Sequence, residues 1–313
     1  MHNNISKILD EVEKVVIGKR EVIVKILTAI LAHGHILLDD VPGIGKTTLA
    51  VALSRTLGLT FGRVQFTPDV LPSDITGFSI YSKSSDSFTY KPGIAVGVHL
   101  LLGDEINRTS SKTQSALLEA MEEGQVTVDG ESHPLKKPFI VIATQNNVGT
   151  AGTQLLPYAQ LDRFLIKLGM GYPSRQSEMD IISGRQTANP VDAITCVATV
   201  ENLVRMQHEV LHITVKDSIV DYIARLAEAS RSHPWLELGI SPRGSLFVNK
   251  MAKARAYATG RDYVIPEDVL HVFLDVCAHR IILSQAAREK KITAERALCD
   301  LLDEVRVPDG LKC

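Results

Sequence analysis

A strand, a glycine-rich loop and a helix in immediate succession constrain this chain more than any other feature. The apolar run Ile36–Leu38 leads into Asp40-Val41-Pro42-Gly43-Ile44-Gly45-Lys46-Thr47, and a helical run, Thr48–Leu57, follows. That order is the setting a P-loop requires. Gly43 and Gly45 let backbone N–H groups close around phosphate oxygens, and the helix N-terminus adds partial positive charge. Val41, Pro42, Ile44 and Thr48 complete the expected cradle. Lys46 is expected to reach the β- and γ-phosphates of ATP, and Thr47 to ligate Mg²⁺. The P-loop pattern asks for Gly at position 40, where this chain has Asp40. The expectation is a left-handed residue with its carboxylate at the edge of the phosphates, weakening ATP binding by about 1–2 kcal/mol.

A second acidic site follows. Val98-His99-Leu100-Leu101-Leu102-Gly103-Asp104-Glu105 reads as an apolar strand ending in two carboxylates. In a parallel sheet, the carboxyl end of a strand beside the P-loop faces the ligand. Asp104 is then placed to hold Mg²⁺ and Glu105 to polarise the attacking water.

The first half of the chain alternates such strands with helices. The candidates are Ile36–Leu38, Val64–Phe66, Val98–Leu102, Phe139–Ala143 and Phe164–Leu168. Alternation of this kind predicts an α/β fold, a mainly parallel sheet with helices on both faces. Leu100–Leu102 and Phe139–Ala143 are apolar throughout, as central strands are. After Gly171-Tyr172-Pro173 helices take over. Thr214-Val215-Lys216-Asp217 resembles a capping box, Ser241-Pro242 opens a helix with Pro in its first turn, and Ile265-Pro266-Glu267-Asp268 opens another. The expected division is an α/β domain over 1–172 and a smaller all-helical domain over 173–313. Within the α/β domain, an irregular insert runs over about 71–92. A hairpin lies within about 125–137, signalled by Asp129-Gly130.

Composition narrows the function classes. The 313 residues carry a formal charge of −2, against the basic balance of a protein that holds nucleic acid over its whole surface. Cys196, Cys277, Cys299 and Cys313 stand apart without a C-x-x-C, which fits a reducing compartment. No apolar run reaches the roughly 18 residues of a membrane span, and the N-terminus lacks the basic and apolar parts of a signal peptide. A cytoplasmic protein without membrane insertion is expected. His33 and His35 approach a buried strand, where a packed or hydrogen-bonded role is the expectation rather than metal binding.

Taken with what surrounds them, these motifs resemble the MoxR family of AAA+ ATPases. The resemblance is carried by Val16-Ile17-Gly18, His33–Leu38, Gln65–Gly77, Asp104-Glu105-Ile106-Asn107-Arg108, Gln114–Glu123, Ala143-Thr144-Gln145-Asn146 and Leu161-Asp162-Arg163-Phe164. It implies a five-stranded AAA+ core with a helical lid, an insert in the second core helix and a hairpin before the sensor strand. It also implies a homo-oligomeric ring, a hexamer, with ATP at subunit interfaces. The family implies an ATP hydrolase that remodels, matures or assembles client proteins in a chaperone-like way, with a von Willebrand factor A domain protein as partner.

By the same resemblance, Asn146 is the first sensor, Arg163 the arginine finger given to the neighbouring subunit and Arg243 the lid's second sensor. Val16, Ile17 and Gly18 line the adenine pocket, and Arg108 acts near the interface. Plainer readings stand beside these: a turn asparagine, a surface arginine before a strand, a solvated first-turn arginine, ordinary core. The chain departs from the family at Asn147-Val148-Gly149, where Pro usually follows the sensor Asn, and at Ile94, where a second Pro usually stands. Two other functions remain open. One is a non-hydrolysing nucleotide-gated scaffold, motivated by Asp40 and the altered sensor loop. The other is a DNA-directed AAA+ motor, disfavoured because Gln125–Lys137 has only Lys136 and Lys137 as basic residues.

Overall fold

The computed structural model describes residues 3–84, 86–146, 156–184 and 190–308. The expected change at Asn147-Val148-Gly149 lies outside them, as does Cys313. Five parallel strands form the central sheet: β1 (Ile36–Asp39), β2 (Phe61–Gln65), β3 (Leu100–Asp104), β4 (Ile140–Gln145) and β5 (Ile166–Leu168), in the order β2-β3-β4-β1-β5. The central strands β3 and β4 are buried at every residue, as their unbroken apolar runs require. Edge strand β2 alternates, with Phe61, Gly62 and Val64 partly covered. The strand therefore starts earlier than the apolar run Val64–Phe66 indicates, because an edge strand needs only one covered face.

Alternate residues of the sheet feed two cores. Ile36, Leu38, Leu100, Leu102, Ile140 and Ile142 pack on one face, with helices α1 (Asn3–Glu13), α2 (Arg20–Leu31) and α3 (Lys46–Thr56). Leu37, Leu101, Val141 and Ala143 pack on the other, against α4 (Ser111–Glu123). α4 is capped by Ser110, whose Oγ accepts from Thr113 N at 3.3 Å, and it ends at Gly124 with φ 62°.

Two hairpins project from the core. The segment expected to be irregular is a single helical turn (Pro72–Thr76) followed by antiparallel strands Gly77–Ser82 and Ser87–Pro92. The second hairpin pairs Gln125–Val128 with Glu131–Pro134. Asp129 (φ 52°) and Gly130 (φ 84°) both adopt positive φ, which the Asp-Gly turn anticipates. Tyr90 of the first hairpin stacks on His133 of the second, 3.7 Å between ring centres and 3° from parallel.

The C-terminal region is helical: α5 (Arg175–Gly184), α6 (Val200–Leu211), α7 (Asp217–Ser232), α8 (Pro242–Ala258), α9 (Pro266–Cys277) and α10 (Ala294–Glu304). One short antiparallel pair, Leu236–Leu238 with Ile282–Leu283, lies among them. Ser241 caps α8 and accepts from Gly244 N at 3.2 Å. Asp268 accepts from Ile265 N at 3.0 Å and ties down the start of α9. Thr214 does not cap α7. It forms a bridge with Tyr263, and the helix starts at Asp217 behind Lys216, which provides no side-chain cap. Leu203, Met206 and Ile223 of this region join the core that covers α2. Among the described residues, no helix is long and apolar enough to cross a membrane.

Candidate active site

The carboxyl ends of β1, β3 and β4 lie side by side, so the residues following them converge. Pro42, Gly43, Gly45, Lys46, Thr47, Thr48, Asp104, Glu105 and Asn146 line one cavity of about 320 Å³. Gly43 (φ 83°) and Gly45 (φ 94°) take the left-handed backbone that turns the loop, and the space before each is open. Pro42, Gly43, Gly45 and Thr48 also wall a second cavity of about 320 Å³, lined further by Val15, Val16, Ile17, Ile44, Ile181 and Ile182. The first chamber is lined by charged and hydroxyl side chains and the second mainly by apolar ones, an arrangement with room for phosphates in the first and a base in the second. Gly18 (φ 71°) lets the chain pass α5, where a Cβ would lie 2.3 Å from Ser177 Oγ.

The acidic pair is built as the sequence suggested, with partners it did not reveal. Asp104 is buried, and its Oδ2 accepts from Arg63 Nε at 2.7 Å. Glu105 has φ 57°, rare for a residue with a side chain. Its N–H is caught by Thr144 Oγ1 at 2.9 Å. Its carboxylate accepts from Gln65 Nε2 at 3.0 Å and from Arg108 Nη1 at 2.8 Å. The sequence alone assigns no role to Arg63, Gln65 or Thr144, although Gln65 and Thr144 stand in segments that carry the family resemblance. Arg63 and Gln65 share one side of β2, and Gln65 stands opposite Asp104 in the register, so alternating polar residues at that strand's carboxyl end are the signal that finds them. Asn146 is buried, and its carbonyl accepts from Asn107 Nδ2 at 3.2 Å.

Lys46 donates to the carbonyl of Asp40 at 2.6 Å. Partial burial lowers its pKa, opposed by Asp40, Asp104, Asp39 and Glu105. Asp40 itself differs from expectation. Its φ is not positive, and its carboxylate lines neither cavity. Oδ1 accepts from Val41 N at 2.9 Å and Oδ2 from Gly171 N at 2.6 Å, on the segment leading to the lid. The carboxylate is thus tied to two backbone N–H groups, yet among the acids around Lys46 it is the one that acts on that amine most strongly. Val41 lies on the same outward turn and lines neither cavity.

Arg163 and Arg243 lie elsewhere. Arg163 precedes the amino end of β5, whereas the P-loop follows the carboxyl end of β1 alongside it. At about 3.3 Å per residue, a four-residue strand separates the two by roughly 10 Å or more. Arg163 Nε pairs with Glu122 at 3.1 Å, and Arg243 Nη2 with the same carboxylate at 2.5 Å. Both line a cavity of about 270 Å³ with His33, Glu122, Phe247 and Lys250. The structure thus brings the two arginines together, but not to this chain's own P-loop. His35 lines that cavity too, held as a hydrogen-bonded neutral ring: Nδ1 accepts from Val141 N at 3.0 Å and Nε2 faces Met121 O at 3.1 Å.

Comparison with known proteins identifies the family and the fold. Residues 35–166 match the model of the ATPase family associated with various cellular activities (AAA), and residues 228–300 match the AAA lid domain. Protein YeaC of Bacillus subtilis, uncharacterized, is 46% identical over 98% of this chain and 96% of its own. Chaperone MoxR1 of Mycobacterium tuberculosis is 38% identical over 98% of this chain and 83% of its own. A crystal structure of a candidate ATPase from Cytophaga hutchinsonii superposes with a TM-score of 0.90 at 37% identity, covering 98% of this chain and 96% of the other. With a five-stranded parallel sheet, a P-loop and a helical lid region, the chain belongs to the MoxR family of AAA+ ATPases.

Proposed function

We propose that this protein is an ATP hydrolase that works as a homo-oligomeric ring, a hexamer, with each active site shared by two subunits. The observation that carries this reading is the separation of the catalytic groups. Lys46, Thr47, Asp104, Glu105 and Asn146 meet at the carboxyl edge of the sheet, while Arg163 and Arg243 meet at its amino edge. A site needing both sets is completed only by a neighbour.

Within one subunit, the backbone of Gly43 and Gly45 with Lys46 holds the phosphates, and Val16, Ile17 and Gly18 flank the adenine. The Thr47 hydroxyl and the Asp104 carboxylate are hard oxygen donors lining one cavity, a set that suits Mg²⁺. The ion, when bound, neutralises charge on the phosphate oxygens. Glu105 accepts the proton of the attacking water, and Asn146 orients that water or the γ-phosphate. Arg163 of the neighbour stabilises the charge of the transition state, a contribution of about 10³–10⁵ in kcat for groups of this type. Arg243, which shares Glu122 with Arg163, acts from the same side. We assign the core to 1–172 and the lid to 173–313.

The name of a relative, Chaperone MoxR1, supports a chaperone-like role in which turnover remodels, matures or assembles protein clients. A von Willebrand factor A domain protein is the proposed partner, and the cytoplasm the proposed location. A nucleic-acid partner is not proposed. The hairpin tip has acidic Asp129 and Glu131, and Lys136 turns to Thr60 Oγ1 at 3.3 Å. Hydrolysis is preferred to the non-hydrolysing scaffold because Lys46, Thr47, Asp104, Glu105 and Asn146 line one cavity.

Mixing subunits tests the proposal. Glu105→Gln subunits keep Arg163 but cannot activate water, and Arg163→Ala subunits have the reverse defect. Each is expected to be inactive alone, and their mixture to regain turnover. A mixture as inactive as its components refutes shared sites.

A further inference from the structure

The lid grips the segment that carries Arg163 through one buried side chain. Arg280, just past α9, is 1% exposed. Its Nε donates to Asp162 Oδ1 at 2.8 Å and its Nη2 to Asp162 O at 3.0 Å. Nη1 donates to Leu165 O at 3.1 Å, Nη2 also donates to Phe164 O, and Nη1 to Val276 O of α9. The guanidinium lies 4.8 Å from the ring centre of Phe247 on α8, the helix whose first turn holds Arg243. His279 adds a second contact, with Nε2 3.1 Å from Phe164 O.

The gripped carbonyls belong to residues 162, 164 and 165, so they bracket Arg163 on both sides. A planar, forked donor set fixes orientation as well as distance, which a lysine or an apolar side chain does not. Burying a guanidinium is costly unless it is paired, and apolar side chains make a lid joint without that cost. The presence of the arginine therefore points to a need for defined geometry in the backbone it holds.

We propose that Arg280 is the positioning residue for Arg163. By fastening Asp162, Phe164 and Leu165 to the lid, it makes the seat of the lid set the direction in which Arg163 meets the neighbouring subunit's ATP. The inference rests on Arg163 acting in trans. Whatever moves the lid of one subunit then moves the finger it offers to the next.

The test is complementation with full-length subunits. Lysine keeps the charge but loses the fork, so Arg280→Lys alone is expected to lose tenfold or more in turnover, with ATP affinity within twofold of the parent. Turnover is expected to return on mixing with Glu105→Gln subunits, which supply a sound finger. It is not expected to return with Arg163→Ala subunits, since neither partner then supplies one. The opposite pattern, recovery with Arg163→Ala, places the defect in the variant's own nucleotide site and overturns the proposal. Unchanged turnover in Arg280→Lys also overturns it. If Arg280→Lys fails to fold, Asp162→Asn loosens the clamp from the other side, leaving Arg280 its carbonyl acceptors. It is expected to show the same pattern with about a threefold loss, and full activity there refutes the clamp. The control mixture of Glu105→Gln with Arg163→Ala separates the two claims. Silence in the control refutes trans action and this inference with it, whereas an active control with a failed Arg280 pattern refutes the inference alone.

Discussion

Replacing Asp40 distinguishes what its carboxylate does in the structure from what the P-loop pattern suggests. The carboxylate accepts two backbone N–H groups, from Val41 at 2.9 Å and from Gly171 at 2.6 Å. Hydrogen bonds to a charged group contribute about 1.5–3 kcal/mol each in protected settings. The Gly171 bond is exposed, so roughly 2 kcal/mol in all is a fair figure for Asp40→Ala. That corresponds to a fall in Tm of roughly 4–8 °C at most, less in a chain this long. ATP affinity is expected to change less than about threefold, or ~0.7 kcal/mol, because the carboxylate lines neither cavity. Lys46 keeps its bond to the backbone carbonyl of residue 40 whatever the side chain. Thermal unfolding without nucleotide and titration with a fluorescent ATP analogue measure the two quantities. An Asp40→Ala protein of unchanged Tm that binds ATP tenfold tighter refutes this reasoning and restores repulsion of the phosphates.

Two further outcomes follow from single residues. Burial lowers the His35 pKa from its ordinary 6.5 to about 4, so the folded state binds fewer protons than the unfolded state between these values. The stability it contributes is full above about pH 6.5 and is lost as pH falls towards 4, on the order of 2–3 kcal/mol. In urea unfolding from pH 7 to 4.5, His35→Gln is expected to flatten the decline by about that share, and an unchanged slope contradicts it. A Cβ at Gly93 would lie 2.3 Å from Ile75 O and 2.4 Å from Gly77 N, both backbone atoms, whereas one at Gly97 meets nothing within 4 Å. Gly93→Ala is expected to destabilise by about 1–3 kcal/mol in denaturant titration, with Gly97→Ala close to parent, and equal effects contradict the packing account.

The sheet was legible because its central strands are apolar at every position. Leu100–Leu102 and Ile140–Ala143 allow few other placements. The phosphate loop and acidic pair were legible because each is a short run of sequence at a strand end. Partners from other strands were not. Arg63, Gln65 and Thr144 reach Asp104 and Glu105 only through the order and register of β2, β3 and β4, which no local pattern states. The meeting of Arg163 and Arg243 on Glu122 depends in the same way on how the lid sits. The insert hairpin was missed for a different reason: Phe78, Ile80, Tyr81 and Phe88 are exposed, so burial never imposed an inside–outside alternation. Thr214 failed as a cap because its backbone is taken by Asp262 and Val264.

ATP turnover measured over a range of protein concentrations, with Glu105→Gln as control, tests the central claim most directly. Specific activity that rises steeply with concentration and vanishes in the control is the predicted result, since one subunit holds Lys46 and Glu105 and the next supplies Arg163. Specific activity that is constant down to concentrations where the protein is monomeric contradicts it.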